Sequence, residues 1–167
     1  MDQVVVRPAT EADHPAVVEL LTNSWGSTIA AAHGVAYDTS ELPALLAERR
    51  GRVAGLLTYT IVGDAFEVVS INAVERGAGV GTALLDAAAD VAEAAGAGRL
   101  WLVTTNDNLD ALRFYQRRGM RIVAINPGGV DESRKLKEGI PLIGDYGIEI
   151  RDEITLEMRL PRTGSRR

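Results

Sequence analysis

Arg76-Gly77-Ala78-Gly79-Val80-Gly81 stands where a strand-like apolar run gives way to a helical one, an arrangement in which a chain can hold a phosphate. A tight glycine-rich turn ahead of a helix aims unpaired backbone N–H groups, and roughly half a positive charge of helix dipole, at one point. Glycine at 77, 79 and 81 puts no Cβ in the way of a pyrophosphate, and Arg76 adds a charge-assisted contact. The competing reading is a plain Gly-rich turn leading into a packed helix. Two familiar nucleotide patterns fail here. Walker A needs a Gly-Lys-Ser/Thr ending, which is absent, and Thr82 stands where a dinucleotide fingerprint needs its third glycine.

Further along, Asn108, Ala111 and Tyr115 fall three and four residues apart, so one helix face presents all three to a single ligand. Asn108 also suits an N-cap, and Tyr115 also suits a core aromatic. Glu67 stands between Phe66 and Val68-Val69, where a carboxylate needs a reason. It is either a functional base or an exposed strand carboxylate. His14 and His33 lack a supporting cluster and there is no cysteine, so the expectation is no metal, no disulfide and no thiolate nucleophile.

The elements that must position these groups follow from periodicity. The β-branched run Val4-Val5-Val6 predicts a strand, and Thr10 with Asp13 predicts a helix start before Val17, Val18, Leu20 and Leu21. The Ala-rich residues 24–37 predict a short second helix. Residues 45–74 predict a three-strand antiparallel meander with tips at Arg49-Arg50-Gly51-Arg52 and Val62-Gly63-Asp64. Val80, Leu84, Ala88, Val91, Ala92 and Ala95 place one apolar face on a helix running to Gly96. Leu100-Trp101-Leu102-Val103 predicts an interior strand with Trp101 in the core. A helix from Asn108 stopped by Gly119, a strand at Ile122-Val123-Ala124-Ile125 and a last strand at 154–159 complete the order. Between the last two strands, residues 127–153 read as a long irregular segment. Its charged run Asp131 to Glu138 is a solvated helix or loop, or a lid over a ligand site. Trp25 is either core or pocket wall.

A chain of 167 residues fits one globular domain, and its net charge of −5 argues against nucleic acid as a partner. No apolar run approaches the roughly 18 residues a membrane span needs, so the expectation is a cytoplasmic protein with no membrane partner.

Arg76-x-x-Gly79-x-Gly81 resembles the pyrophosphate motif of the GNAT N-acyltransferase superfamily. Asn108-x-x-Ala111-x-x-x-Tyr115-x-x-x-Gly119-Met120 resembles a second family motif, with Met120 in place of the usual Phe. The element order is similar across nearly the whole chain. The resemblance implies an α/β fold with a mixed, mostly antiparallel central sheet flanked by helices, residues 1–160 forming one GNAT-like domain and 161–167 a solvated tail. It implies acetyl-CoA as acyl donor, held by Arg76, Gly77, Ala78, Gly79, Val80, Gly81, Thr82, Asn108, Ala111 and Tyr115. Backbone groups of Ile71, Ala73 and Val74 would meet the pantetheine arm or the thioester carbonyl. Tyr115 is implied as general acid, and Glu67 as the base that deprotonates an amine, although many relatives lose that proton through water chains. It implies a small-molecule or peptide amine as acceptor, the acidic charge slightly favouring a cationic one, and a protein that acts alone or as a homodimer. A noncatalytic acyl-CoA sensor and a nucleotide-binding module are the rival readings, and the intact Tyr115 favours the enzyme over the sensor.

Overall fold

In the computed structural model, which describes residues 3–75 and 77–163, strand β1 (Val5–Pro8) leads through a 3-10 turn, Glu11–Asp13, into helix α1 (His14–Trp25). The Asp13 carboxylate accepts the backbone N–H of Thr10 at 2.7 Å and is clamped by Arg7 at 2.7 and 2.9 Å. That Arg7 guanidinium holds the Asp13 pKa well below the usual carboxylate range. Gly26, at φ +79°, ends α1.

The second helix expected at 24–37 does not form. Instead β2 (Ile29–Ala32) and β3 (Val35–Asp38) make a separate antiparallel hairpin, Ala32 facing Val35 across the turn His33-Gly34. Both turn residues have positive φ, +42° and +79°, the geometry that joins two twisted strands through a two-residue loop. Alanine is the strongest helix former, but propensity yields to tertiary context, and here the turn chemistry with its distant contacts overrides it.

The meander is present as β4 (Ala44–Arg49), β5 (Arg52–Val62) and β6 (Ala65–Ala73), with tips at Arg50-Gly51 and Gly63-Asp64 where expected. Then come α2 (Val80–Ala94), β7 (Arg99–Thr105), α3 (Leu109–Arg117), β8 (Arg121–Asn126), α4 (Gly129–Leu136) and β9 (Glu153–Arg159). The seven-stranded sheet runs β1-β4-β5-β6-β7-β9-β8 and is antiparallel except where β6 meets β7.

Strand alternation sends neighbours to opposite faces. Leu45 and Leu57 join Phe66, Leu84, Leu100 and Leu156 in the core against α2, while Leu46 and Leu56 pack with Val17 and Leu21 of α1. Each such leucine contributes about 1.5–3 kcal/mol by leaving water. The apolar face of α2 lies as the spacing predicts, except that the helix stops at Ala94 and Ala95 is exposed.

Two further expectations change, and a third is narrowed. Trp101 is not in the core: it lies on the other face of the sheet, 5.0 Å from the His33 ring centroid and 5.0 Å from the Arg99 guanidinium. The charged run takes the helix alternative, falling largely on α4 with Asp131, Glu132 and Lys135 exposed, and the helix also buries Val130 and Ser133 and lies against β2 and β3. The tail expected to be solvated is held at Arg162, whose side chain is 14% exposed and pairs with Asp90 and Glu93 of α2. Among the described residues no helix is long and apolar enough to cross a membrane.

Candidate active site

Parallel pairing of β6 with β7 covers only Ala65–Glu67 against Arg99–Trp101. Beyond it β6 stays with β5 while β7 stays with β9, so the sheet opens into a wedge. A bulge drives the divergence: Thr58 faces Ser70 but Tyr59 faces Val68, leaving Val69 as the extra residue. A cavity of about 1090 Å³ fills the wedge, walled by the second half of β6, the end of β7, the start of α2 and one face of α3.

The register shows which main-chain groups face it. Val74 donates its N–H to Ala54 O at 2.7 Å, which makes Ala73 and Gly55 a pair that exchanges no hydrogen bonds, and by alternation Ile71 and Leu57 another. The N–H and C=O of Ile71 and Ala73 therefore point off β5 into the wedge. Val74, expected beside them, has spent its N–H on Ala54 and is not part of the wall.

At the foot of the wedge, Gly77 and Gly79 take left-handed conformations, φ +78° and +79°, and α2 begins at Val80. Its first intrahelical bond runs from Ala83 N to Gly79 O at 3.0 Å, so the amides of Val80, Gly81 and Thr82 stand ahead of the ladder. The turn is pressed close. A Cβ on Gly81 would sit 3.3 Å from Phe114 Cζ, and one on Gly55 would sit 2.5 Å from Val80 Cγ1. Gly77, Gly79, Val80, Gly81 and Thr82 line the cavity, whereas Ala78 packs against the core. Arg76 lies outside the described residues. This donor-rich, Cβ-poor cradle fits the pyrophosphate of coenzyme A.

On the β7 side, Asn108, Ala111 and Tyr115 all line the cavity. Asn108 does not cap α3 with its side chain. Its Nδ2 donates to Thr104 Oγ1 at 3.0 Å, turning the carboxamide toward β7, and only its backbone O accepts from Leu112 N. Tyr115 is 7% exposed, and Met120, the Phe replacement, is buried. Burial pushes the Tyr115 phenol pKa well up, so the group stays protonated, and among the described residues its hydroxyl has no hydrogen-bond partner.

Across the wedge, Phe66 and Val68 turn into the core while Glu67 faces the hairpin, 5% exposed. It is not an exposed strand carboxylate. Tyr37 Oη donates to Glu67 Oε1 at 2.7 Å, and His33 Nε2 lies 2.7 Å from Oε2. The Glu67 contact raises the His33 pKa, and burial followed by the same carboxylate raises that of Tyr37. The His33 backbone N–H donates to both oxygens of Glu153, at 3.2 and 3.3 Å, and Ser133 Oγ donates to the same carboxylate at 2.9 Å. Sequence reasoning set His33 aside and missed Tyr37. The signal was His-Gly between two short runs, a hairpin turn hidden by alanines. The remaining wall comes from Trp25, half-exposed at the rim, and from Lys137, Gly139, Ile140, Pro141 and Ile150 of the long connection.

The family model described as Acetyltransferase (GNAT) family matches residues 12–120. A Bacillus subtilis relative, the uncharacterised protein YdhI, is 35% identical over 90% of this chain and 95% of its own length. Among solved structures, an IAA acetyltransferase from Bacillus cereus superposes with TM-score 0.73 at 25% identity, covering 95% of this chain and all of that one. A GNAT family acetyltransferase from Elizabethkingia anophelis, solved with acetyl-CoA bound, superposes with TM-score 0.68 at 22% identity over 96% and 100% of the two chains.

Proposed function

The chain belongs to the GNAT family of acetyltransferases, and from that premise we propose that it moves an acetyl group from acetyl-CoA to the primary amine of an acceptor by direct attack. One observation carries the reading: Glu67 and Tyr115 line a single cavity from its opposite arms, one a carboxylate held by two hydrogen bonds, the other a protonated phenol.

Acetyl-CoA supplies a thioester carbonyl carbon open to attack. The amides at the start of α2 and the glycine turn receive its pyrophosphate, with Arg76 joining them by its motif position alone. Asn108 and Ala111 line the thiol arm's path, and the main-chain groups of Ile71 and Ala73 pair with its amides. An alkyl amine, with a pKa near 10.4, is mostly protonated at neutral pH, so Glu67 takes its proton. The neutral amine nitrogen then bonds to the acetyl carbon as the carbon–sulfur bond breaks, Tyr115 gives its proton to the departing thiolate, and the second proton shed by the nitrogen as the amide forms passes to solvent, which reprotonates the phenolate. His33 and Tyr37 orient Glu67 and do not touch the reacting atoms.

Release of free thiol from acetyl-CoA on adding a panel of amines tests the transfer, alongside thermal shifts with acetyl-CoA and with NAD. A ligand at a hundred times its Kd stabilises by about 2.7 kcal/mol. Acetyl-CoA stabilisation with amine-dependent thiol release is expected. Stabilisation without release across the panel supports a sensor, and a shift with NAD alone overturns the cofactor.

A further inference from the structure

The chain has two lysines, Lys135 and Lys137, and they are placed very differently. Lys135 extends from α4 into solvent and pairs with Glu132 at 3.1 Å. Lys137, just past the last turn of α4, is half-buried between exposed Leu136 and Glu138 and lines the cavity. Among the described residues its ammonium has neither a carboxylate nor a hydrogen-bond partner. The carbonyl end of α4 attracts a cation, but Nζ makes no hydrogen bond to it. Loss of water around Lys137 lowers its pKa, as for a cation that nothing has paired.

Position fixes which part of the cavity this charge serves. α4 lies against β2 and β3, the hairpin that carries Tyr37 to Glu67, and Ile140, Pro141 and Ile150 beside Lys137 give the same wall an apolar lining. The glycine turn that suits pyrophosphate belongs to another element, at the start of α2. On the hairpin side the buried carboxylates are already matched: Glu67 by His33 and Tyr37, Glu153 by the His33 amide and Ser133. Among the described residues of that side, Lys137 is left as a charge without a counterpart.

We propose that Lys137 is an oxyanion subsite of the acceptor pocket, so that the acceptor is a zwitterion-like amine carrying a carboxylate or phosphonate, its amine at Glu67 and its acid group at Lys137. The placement of the amine rests on the transferase reading above; the anion site is separate from it. The chain's net charge of −5 pointed the other way, toward a cationic acceptor. Screening over about 10 Å lets a local charge inside a cleft outweigh that overall sign.

Binding is measured by calorimetry on the full chain saturated with CoA, which permits no turnover. The probes are α-amino acids, β-alanine, γ-aminobutyrate and 2-aminoethylphosphonate, each amino acid alongside its carboxamide and the phosphonate alongside ethanolamine. The anionic probes are expected to bind about tenfold or more tightly than their neutral counterparts, as a charge-assisted contact provides. Lys137→Met should level the two series while still binding CoA, which reports that it is folded, and Lys137→Arg should restore most of the preference. The carboxylate and phosphonate arms show which oxyanion is favoured. Equal affinity in the two series, a preference that survives Lys137→Met, or no binding by any probe overturns the proposal. Thiol release with acetyl-CoA is read separately, so an anion preference without turnover would sink the transferase reading and leave the subsite standing.

Discussion

His33 Nε2 lies 2.7 Å from Glu67 Oε2 across 34 residues of sequence, so the hairpin that begins beyond α1 holds the carboxylate proposed to accept the amine's proton. Without those His33 and Tyr37 contacts, a carboxylate buried at this position would lack two hydrogen bonds, a costly state. With it, the carboxylate is fixed at the wall of the cavity.

Glu67→Gln keeps the shape of the side chain and removes its basicity. We expect kcat at neutral pH to fall by about 100-fold or more, with acetyl-CoA affinity retained, since the glycine turn lies elsewhere. An amine that has already lost its proton needs no base, so the deficit should shrink as pH approaches the amine's pKa of about 10.4. Steady-state kinetics across pH measure this. A deficit constant with pH would assign Glu67 to binding or structure instead.

The same contact makes stability pH-dependent. Glu67 raises the His33 pKa above its ordinary value of about 6.5, so the folded state holds that proton more tightly than the unfolded chain. The resulting stabilisation is complete below about pH 6.5 and is lost as pH rises through the raised value. Melting temperatures of wild type and His33→Gln should therefore differ most below about pH 6.5 and converge as pH rises through the raised value. A difference that widens with pH would contradict the ion pair.

How much of this was legible depends on whether the determining contact is local. Gly77, Gly79 and Gly81 announce a close-approach turn because the backbone conformation is local, and Tyr115 falls on the correct helix face because helix periodicity is local. The meander tips at Gly51 and Gly63 were readable for the same reason. His33 and Tyr37 were not: the Ala-rich run 30–32 carries a helix preference, and what overturns it is a turn at His33 with φ +42°, held by Glu67 and Glu153 far along the chain. Trp101 misled for a related reason. An apolar strand has two faces, and only the packing of the hairpin shows that this side chain meets His33. Arg162 reads as a tail residue until α2 presents Asp90 and Glu93 to it.

Gly55 belongs to no motif, yet it determines how closely α2 approaches the sheet. A Cβ there would meet Val80 Cγ1 at 2.5 Å and Asn72 O at 2.9 Å, and Val80 is the first residue of α2. We expect Gly55→Ala to cost about 1–3 kcal/mol by overpacking, read by urea unfolding, and to weaken acetyl-CoA binding several-fold by displacing the helix start. Lowered stability with unchanged affinity would show that β5 yields and α2 does not.

Tyr115 offers the sharpest separation of chemistry from binding. Its ring packs in the core and its hydroxyl is the proposed proton donor, so Tyr115→Phe keeps the first and deletes the second. A phenol whose pKa is raised by burial is a weaker acid than usual, but it remains protonated throughout the working range, and Tyr115 lines the cavity. The thiol it serves has an ordinary pKa of about 8.5, so the phenol need not transfer its proton early; a strengthening hydrogen bond to the developing thiolate suffices. We therefore expect Tyr115→Phe to lower kcat by about 100-fold while the calorimetric Kd for acetyl-CoA changes little. Wild-type kcat should show no decline from Tyr115 ionisation until pH exceeds the ordinary phenol value of about 10. Unchanged turnover in Tyr115→Phe would remove the residue from the acid role, and an equal loss of affinity and turnover would make it a packing residue.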